Sequence, residues 1–342
     1  MGDIWFVRAG KDSIYAEDFI QKQIVAIGWE EIGELNPTVS KEQLNLLYQK
    51  VYPSHSGGTQ LVCVSQILRF LKNVQVGDQV MTHDRSKQMY YLGTVTSDAK
   101  WEPSLVPELP RVRAVEWKFQ IPRSVLSTDA KNTLGAIQTL FLVKGRVATE
   151  INSAAIGLQQ GATDINLLIP TQLPADPDQF NAESTIRAEL LEKSEQAIED
   201  RIVQLDWEQV QELVAGLLQA MGYRTTIAAR GADRGVDIFA SPNGLGLEEP
   251  RIFVEVKHRY TSSMGSQDIR SFLGGRSSGD KCLYVSTGGF TREARYEADR
   301  SNVAITLLGL VDLRKLLVDY YEKLDEGVKS LIPLKRIYVL AD

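Results

Sequence analysis

Two strand-forming stretches carry charges where a simple apolar core has none. Residues 231–239 read Gly-Ala-Asp-Arg-Gly-Val-Asp-Ile-Phe, a Gly/Pro-rich turn follows, and residues 251–260 read Arg-Ile-Phe-Val-Glu-Val-Lys-His-Arg-Tyr. Glu255 and Lys257 are two residues apart, so on a strand they project from one face while Ile252, Val254 and Val256 supply the other. Buried charges need partners. An acid and a lysine side by side in an apolar strand are costly as plain core. The strand bearing Asp237 is expected beside the one bearing Glu255, so that the three charges can serve one another.

The chain has 342 residues, enough for two domains and a connector. Its 43% hydrophobic and 24% charged content is that of an ordinary globular protein. No apolar run approaches the ~20 residues that span a bilayer, and the first residues enter a strand-like pattern without a signal-peptide layout. No membrane association is expected. Cys63 and Cys282 are far apart in apolar contexts, which indicates neither a disulfide framework nor a zinc site, so a reducing cytoplasm is the expected location.

The net charge of -6 is unequally spread. Residues 151–206 hold 3 Lys+Arg against 10 Asp+Glu, whereas 1–150 hold 17 against 16 and 207–342 hold 18 against 18. Both flanking regions are near neutral and can carry local basic surface. Overall acidity argues weakly against tight nonspecific DNA binding. It does not exclude a DNA enzyme whose metal ions bring positive charge to the site.

Periodicity predicts a β-rich front domain over 1–149, a Gly/Pro-punctuated linker over 150–180, and a mixed α/β domain over 181–342. In the front domain, strands are expected at Ile4–Arg8, Asp78–Thr82, Tyr90–Thr96 and Arg111–Trp117, with helical spacing at Tyr15–Ile24 and a buried helix at Leu61–Leu71. Several short strands within so few residues suggest a small barrel or strongly curved sheet. Behind the linker come a charged helix over Ala182–Leu205 and a helix from Trp207 to Met221 that Gly222 stops. Strands follow near 225–229, 236–240, 252–257, 282–286 and 303–308, with helices at 266–274, 291–300 and 310–321. The whole is an α+β and α/β two-domain chain.

Phosphodiester hydrolysis needs a positioned water, neutralisation of charge on phosphorus, and help for the leaving oxygen. Carboxylate-held Mg²⁺ provides all three. Asp237 and Glu255 are hard oxygen ligands, and the carbonyl of Val256 between Glu255 and Lys257 can add another. Lys257 can orient the attacking water or stabilise the transition state as a point charge. A surface ion pair on an edge strand is the competing reading, and spacing alone leaves the two about even. His258, on the opposite strand face from Lys257, reads as structural. The turn Ser286-Thr-Gly-Gly-Phe290 leads a strand into a helix and reads as a plain connection ahead of a phosphate contact.

The helix from Trp207 through Gly222-Tyr223, the Gly-Ala-Asp-Arg-Gly-Val-Asp237 segment, Glu255-Val-Lys257-His-Arg-Tyr, and Tyr284-Val-Ser-Thr-Gly-Gly-Phe-Thr-Arg-Glu-Ala294 run in that order. Over roughly 200–320 they resemble the catalytic domain of Mrr-like restriction endonucleases, a branch of the PD-(D/E)xK nuclease superfamily. The resemblance implies a mixed-sheet nuclease domain with Asp237, Glu255 and Lys257 as catalytic triad. It also implies Mg²⁺, or Mn²⁺, as cofactor and double-stranded DNA as substrate. Many members carry Gln where this chain has Glu255; the acid fits the wider superfamily and is a metal ligand. Glu208 matches an acidic residue of the family's leading helix, with a solvated helix glutamate as the equal alternative. Gln267 and Asp268, opening the next helix, are candidates for DNA-backbone contact or for capping.

Residues 1–149 are the natural reader of the target. Trp-Phe-Val-Arg-Ala-Gly, Ala-Ile-Gly-Trp29, Val-Gly-Asp78-Gln-Val, Tyr-Leu-Gly-Thr-Val-Thr and Trp117-Lys resemble the PUA/EVE-like class of small barrels, more loosely than the nuclease match. That resemblance implies recognition of modified bases. Trp29 and Trp101 are then the base-pocket candidates, against a core reading that generally favours aromatic strand residues. Three functions stay open. The first is a metal-dependent, modification-dependent (type IV-like) endonuclease acting against foreign DNA; the second is a DNA repair or junction-processing nuclease. The third, a noncatalytic nucleic-acid-binding protein, is disfavoured by the presence of all three site residues. Cutting both strands requires two active sites, which makes a homodimer an expected partner state.

Overall fold

The structure is a computed structural model, and it describes residues 3–160, 183–228, 236–244, 248–260, 262–277 and 279–337. It divides into two compact units, Met1–Asp84 with Met89–Ser194, and Arg85–Gln88 with Glu195–Asp342. No helix among the described residues is long and apolar enough to cross a membrane.

The first unit is built on a seven-stranded curled sheet. Its strands are β1 (Ile4–Val7), β2 (Ile24–Ile27), β3 (Gln79–Asp84), β4 (Met89–Val95), β5 (Lys100–Trp101), β6 (Arg111–Pro122) and β7 (Leu140–Val143). The order is β2-β6-β4-β3-β1-β7, with β5 also on β6, and every pairing is antiparallel except β1 with β3. The twelve-residue β6 serves three neighbours because it changes register against β4 between Leu92 and Gly93. Only glycine fits there: a Cβ on Gly93 would stand 2.6 Å from the Glu116 carbonyl. Such a bulge bends a strand and sharpens its twist. Two apolar clusters fill the two sides, one around Phe19, Val25, Val80 and Val112, the other around Phe6, Met81, Tyr90 and Ile151.

Two expectations for this unit need correction. Helical spacing over Tyr15–Ile24 yields only helix Ala16–Gln21, because Gln23 takes a positive φ of 53° and Ile24 opens β2. Arg111 and Arg113 are buried within the unit. Arg111 donates to the carbonyls of Gly28, Trp29 and Gly33, and Arg113 to those of Phe70, Leu71 and Ser97. Finally, a helix runs over Gly145–Gln160, into the stretch expected as linker; 161–182 lie outside the described residues.

The second unit carries a five-stranded mixed sheet of β8 (Arg224–Ile227), β9 (Ile238–Ser241), β10 (Ile252–Lys257), β11 (Lys281–Ser286) and β12 (Ala304–Gly309). They lie in the order β12-β11-β10-β9-β8, antiparallel from β8 to β10 and parallel from β10 to β12. Helix Trp207–Ala220 opens on a capping box between Asp206 and Gln209, and the chain turns out of it at Gly222 with φ 101°. Its apolar stripe (Val210, Leu213, Val214, Leu217) packs with helix Leu310–Tyr320 on Ile238, Ala240, Val254, Val256 and Val285. The opposite sheet face is covered by Met264, Ile269, Phe272, Phe290 and Ala294, from helices Ser266–Leu273 and Arg292–Asp299 and the segments before them.

The acidic helix Glu183–Gln204 departs from a plain amphipathic pattern. Leu190 and Leu191 are exposed, while Glu192, Gln196 and Glu199 are buried. Counter-charges explain the inversion. Glu192 pairs with Arg8 at 2.6 Å in the first unit. In the second, Glu199 receives two bonds from the Arg85 guanidinium, and Arg314 stands 2.6 Å from Glu195 and 3.1 Å from Glu199.

Candidate active site

Strand parity places the site. Val254 and Val256 of β10 point into the larger core of the second unit, so Glu255 and Lys257 point to the other face. There Glu255 stands in register with Tyr284 of β11, and Lys257 with Ser286. Asp237 immediately precedes β9 and is held by backbone and side-chain hydrogen bonds. Its N–H donates to Val254 O at 2.8 Å, its carbonyl accepts from Ala228 N at 2.8 Å, and its Oδ2 accepts from Val256 N at 2.6 Å. That last bond locks one carboxylate oxygen against the strand carrying the other two residues. Asp237 and Glu255 are 6% and 7% exposed, and Lys257 Nζ contacts Glu255 Oε1 at 2.5 Å.

The electrostatics favour a cation. Burial pushes the Glu255 carboxyl up, the Lys257 hydrogen bond and charge pull it back, and the nearby Asp237 and Asp268 carboxylates push it up again. Asp237 and Glu255 are thus two buried carboxylates near enough to repel, and Lys257 pairs with Glu255. Val254 gives its carbonyl to Asp237, and the carbonyl of Val256, two residues on, faces the same side beyond the last β9 pairing. Two carboxylates and a carbonyl would suit a hard divalent cation such as Mg²⁺ or Mn²⁺. No cluster of three or more His, Cys, Asp or Glu that could hold a metal ion occurs among the described residues, so Asp237 and Glu255 would act with backbone oxygen. The raised Glu255 pKa works against stability: the contribution is present below the unfolded value and lost as pH rises through the folded one. A bound cation reverses that preference. Ca²⁺ affinity, measured by calorimetry, is therefore expected to fall as pH drops through a value above the ordinary 4.5 of a glutamate. An affinity flat across that range would remove Glu255 from the ligand set.

The other expected residues fall as follows. Glu208 is exposed in the first turn of helix Trp207–Ala220, which packs on the opposite face of β10. Gln267 is exposed in the first turn of helix Ser266–Leu273, and the Asp268 carboxylate caps that helix at Gly265 N. Gly231, Asp233 and Gly235 lie outside the described residues. His258 turns away from the site and meets Thr287 Oγ1 at 3.0 Å. A mostly apolar cavity of about 420 Å³ in this unit is lined by Leu217, Met221, Ile252, Leu283 and Leu308, with Lys281 also at its wall and none of Asp237, Glu255 or Lys257 among its lining residues.

In the first unit Trp29 and Trp101 have different surroundings. Trp29 holds a left-handed backbone (φ 64°, ψ 47°), uncommon for a bulky residue. It lines a cavity of about 310 Å³ with Arg8, Lys11, Gly28, Leu109 and Thr139. Trp101 instead has the Arg111 guanidinium over its ring at 4.9 Å. Sequence reasoning missed Arg8, Lys11 and Arg111; nothing in their local spacing marks them.

The matches to known proteins follow the same division. Residues 202–317 match the Mrr-type catalytic family, described as restriction endonuclease, and form a restriction-endonuclease domain. Residues 5–141 match a family described only as a domain of unknown function (DUF8426). Among solved structures, the chain is similar to the MspJI restriction endonuclease in complex with a 27-mer oligonucleotide. That likeness has 12% identity over 96% of this chain and 79% of that one, with a TM-score of 0.27. It is also similar to the DNA modification-dependent restriction endonuclease AspBHI, with 15% identity over 90% and 79% of the two chains and a TM-score of 0.32. Both scores are low. No curated protein matches.

Proposed function

We propose that the protein is a Mg²⁺-dependent endodeoxyribonuclease that restricts foreign DNA carrying modified bases. The observation that carries the reading is the grouping of buried Asp237 and Glu255 with the half-buried Lys257 on one sheet face, inside a restriction-endonuclease domain. Asp237, Glu255 and the Val256 carbonyl would hold the metal, which when bound supplies a nucleophilic water and neutralises phosphate charge. Lys257 places a positive charge beside the reacting phosphate, and the apolar neighbours Tyr284 and Phe290 limit water around it. Two-strand cutting by a single site per chain calls for a homodimer on DNA. Cleavage is expected with Mg²⁺ or Mn²⁺ and not in EDTA, whereas Ca²⁺ should support binding with little turnover because its looser geometry positions water poorly. Undiminished cutting in EDTA would take the metal out of the mechanism.

The front unit, read as a PUA/EVE-like domain, would select the substrate. The cavity beside Trp29 lies within the roughly 300–1,000 Å³ range of ligand sites and combines an indole with the basic groups of Arg8 and Lys11. A base turned out of the duplex can stack on that indole while Lys11 meets its phosphate. Trp29→Ala is expected to lose about 1–3 kcal/mol of binding to the preferred duplex. Trp101→Ala should lose less, because Arg111 already covers that ring. Filter binding with modified and unmodified duplexes reads both effects. Equal affinity of the unsubstituted protein for the two duplexes would leave the nuclease standing and sink base reading.

A further inference from the structure

The parallel register of β10 and β11 brings one more polar side chain to the catalytic face. Ser286 pairs with Lys257, Tyr284 pairs with Glu255, and the intervening Val285 turns into the opposite core. Ser286 is fully buried, and its Oγ has no hydrogen-bond partner among the described residues. The hydroxyls around it are satisfied. Thr287 Oγ1 meets His258 Nδ1 at 3.0 Å, and Ser263 Oγ donates to Gly288 O at 3.0 Å. Backbone adjustment cannot easily relieve Ser286, because the turn that follows is tightly clamped. Thr287 N donates to Lys257 O at 3.1 Å, and a Cβ on Gly288 would stand 2.1 Å from the Arg259 carbonyl. A buried hydroxyl without a partner is unfavourable, and its persistence next to a site calls for an explanation.

Lys257 supplies one. Its ammonium has three donors, and one is directed at Glu255 Oε1. We propose that Ser286 is a positioning residue of the cleavage site, whose hydroxyl accepts a hydrogen bond from the Lys257 ammonium when the Glu255 carboxylate is engaged elsewhere. The inference rests on the nuclease reading, since it gives Lys257 a second anchor during DNA cleavage. With that anchor the ammonium stays at the end of β10; without it, the flexible lysine stem is free to sample other positions.

The test uses the full chain with Ser286→Ala and Ser286→Thr. In Ser286→Ala, single-turnover cleavage at saturating DNA and Mg²⁺ should slow roughly ten- to a hundredfold, the effect of one hydrogen bond to a charged group. DNA affinity in Ca²⁺ should stay unchanged. The melting temperature of the metal-free protein should hold or rise, because the substitution removes an unsatisfied buried group. Ser286→Thr, which keeps the hydroxyl, should recover most of the rate. Opposite signs for rate and stability are the signature, since a merely structural serine would lower both. Full cleavage by Ser286→Ala, or a loss of rate matched by a lower melting temperature, overturns the proposal. If the unsubstituted protein cuts no duplex, the nuclease reading fails separately. The melting measurement still reads on Ser286, and a lower value for Ser286→Ala overturns its role there too.

Discussion

Lys257→Ala is expected to cut DNA at least about a thousandfold more slowly than the parent protein while melting close to it, since removing one preorganised donor alone typically costs 10²–10³ in rate. The lysine side chain is 31% exposed and, among the described residues, is paired with the acid beside it, so the fold does not rest on it. Its loss leaves Glu255 without the charge that pulls its carboxyl down, and burial then favours the protonated acid, a poorer metal ligand. Rate thus falls through two routes from a single substitution. Asp237 needs a subtler variant. Asp237→Ala removes the bond from Val256 N as well as the charge, and so loosens the start of β9. Asp237→Asn keeps an oxygen acceptor for that N–H and should be equally inactive with a smaller change in melting. Single-turnover cleavage beside thermal melting by circular dichroism measures both. Full cleavage by Lys257→Ala would refute its assigned role.

The second large effect is on stability. Glu199 is 1% exposed and accepts from Arg85 Nη2 at 2.7 Å and Nε at 3.1 Å, with Arg314 Nε also at 3.1 Å. Glu195 shares the load through Arg314 at 2.6 Å. Arg85 and Arg314 are themselves 1% and 3% exposed. Truncating one member of such a cluster strands buried charge, which costs about 3–5 kcal/mol. Glu199→Ala is therefore expected to lower the melting temperature by roughly 10 °C, given about 2–4 °C per kcal/mol for a unit of this size. Arg85→Met combined with Glu199→Leu should recover much of the loss, because matched apolar replacement removes both charges together. A double variant no more stable than Glu199→Ala would show that shape, rather than stranded charge, sets the cost.

The second unit was the more legible in sequence. All five of its strands and the helices over 266–274, 291–300 and 310–321 were expected within a few residues of where they lie. The central strands Ile252–Lys257 and Lys281–Ser286 are short, largely apolar runs bounded by turns, and local pattern decides such elements. The placement of Glu255 and Lys257 opposite Val254 and Val256 follows from strand parity alone. What parity could not give is the identity of the neighbouring strand. Ser286 beside Lys257 is a product of parallel β10–β11 register, a non-local choice. Arg111 and Arg113 show the same limit. Their burial rests on carbonyls contributed by residues distant in sequence, which local pattern does not reveal. The helix Glu183–Gln204 is a third case, where partners distant in sequence turned acids inward and left Leu190 and Leu191 out.

The central claim is that this trio cuts DNA chosen by a base modification. One plasmid, prepared with and without modified cytosine or adenine and incubated with the protein and Mg²⁺, addresses it directly on a gel. Double-strand breaks in the modified plasmid, none in the unmodified one and none in either with EDTA is the expected result. Equal cutting of both plasmids, or cutting only of branched DNA, would contradict modification dependence, and no cutting of any DNA would contradict the nuclease itself.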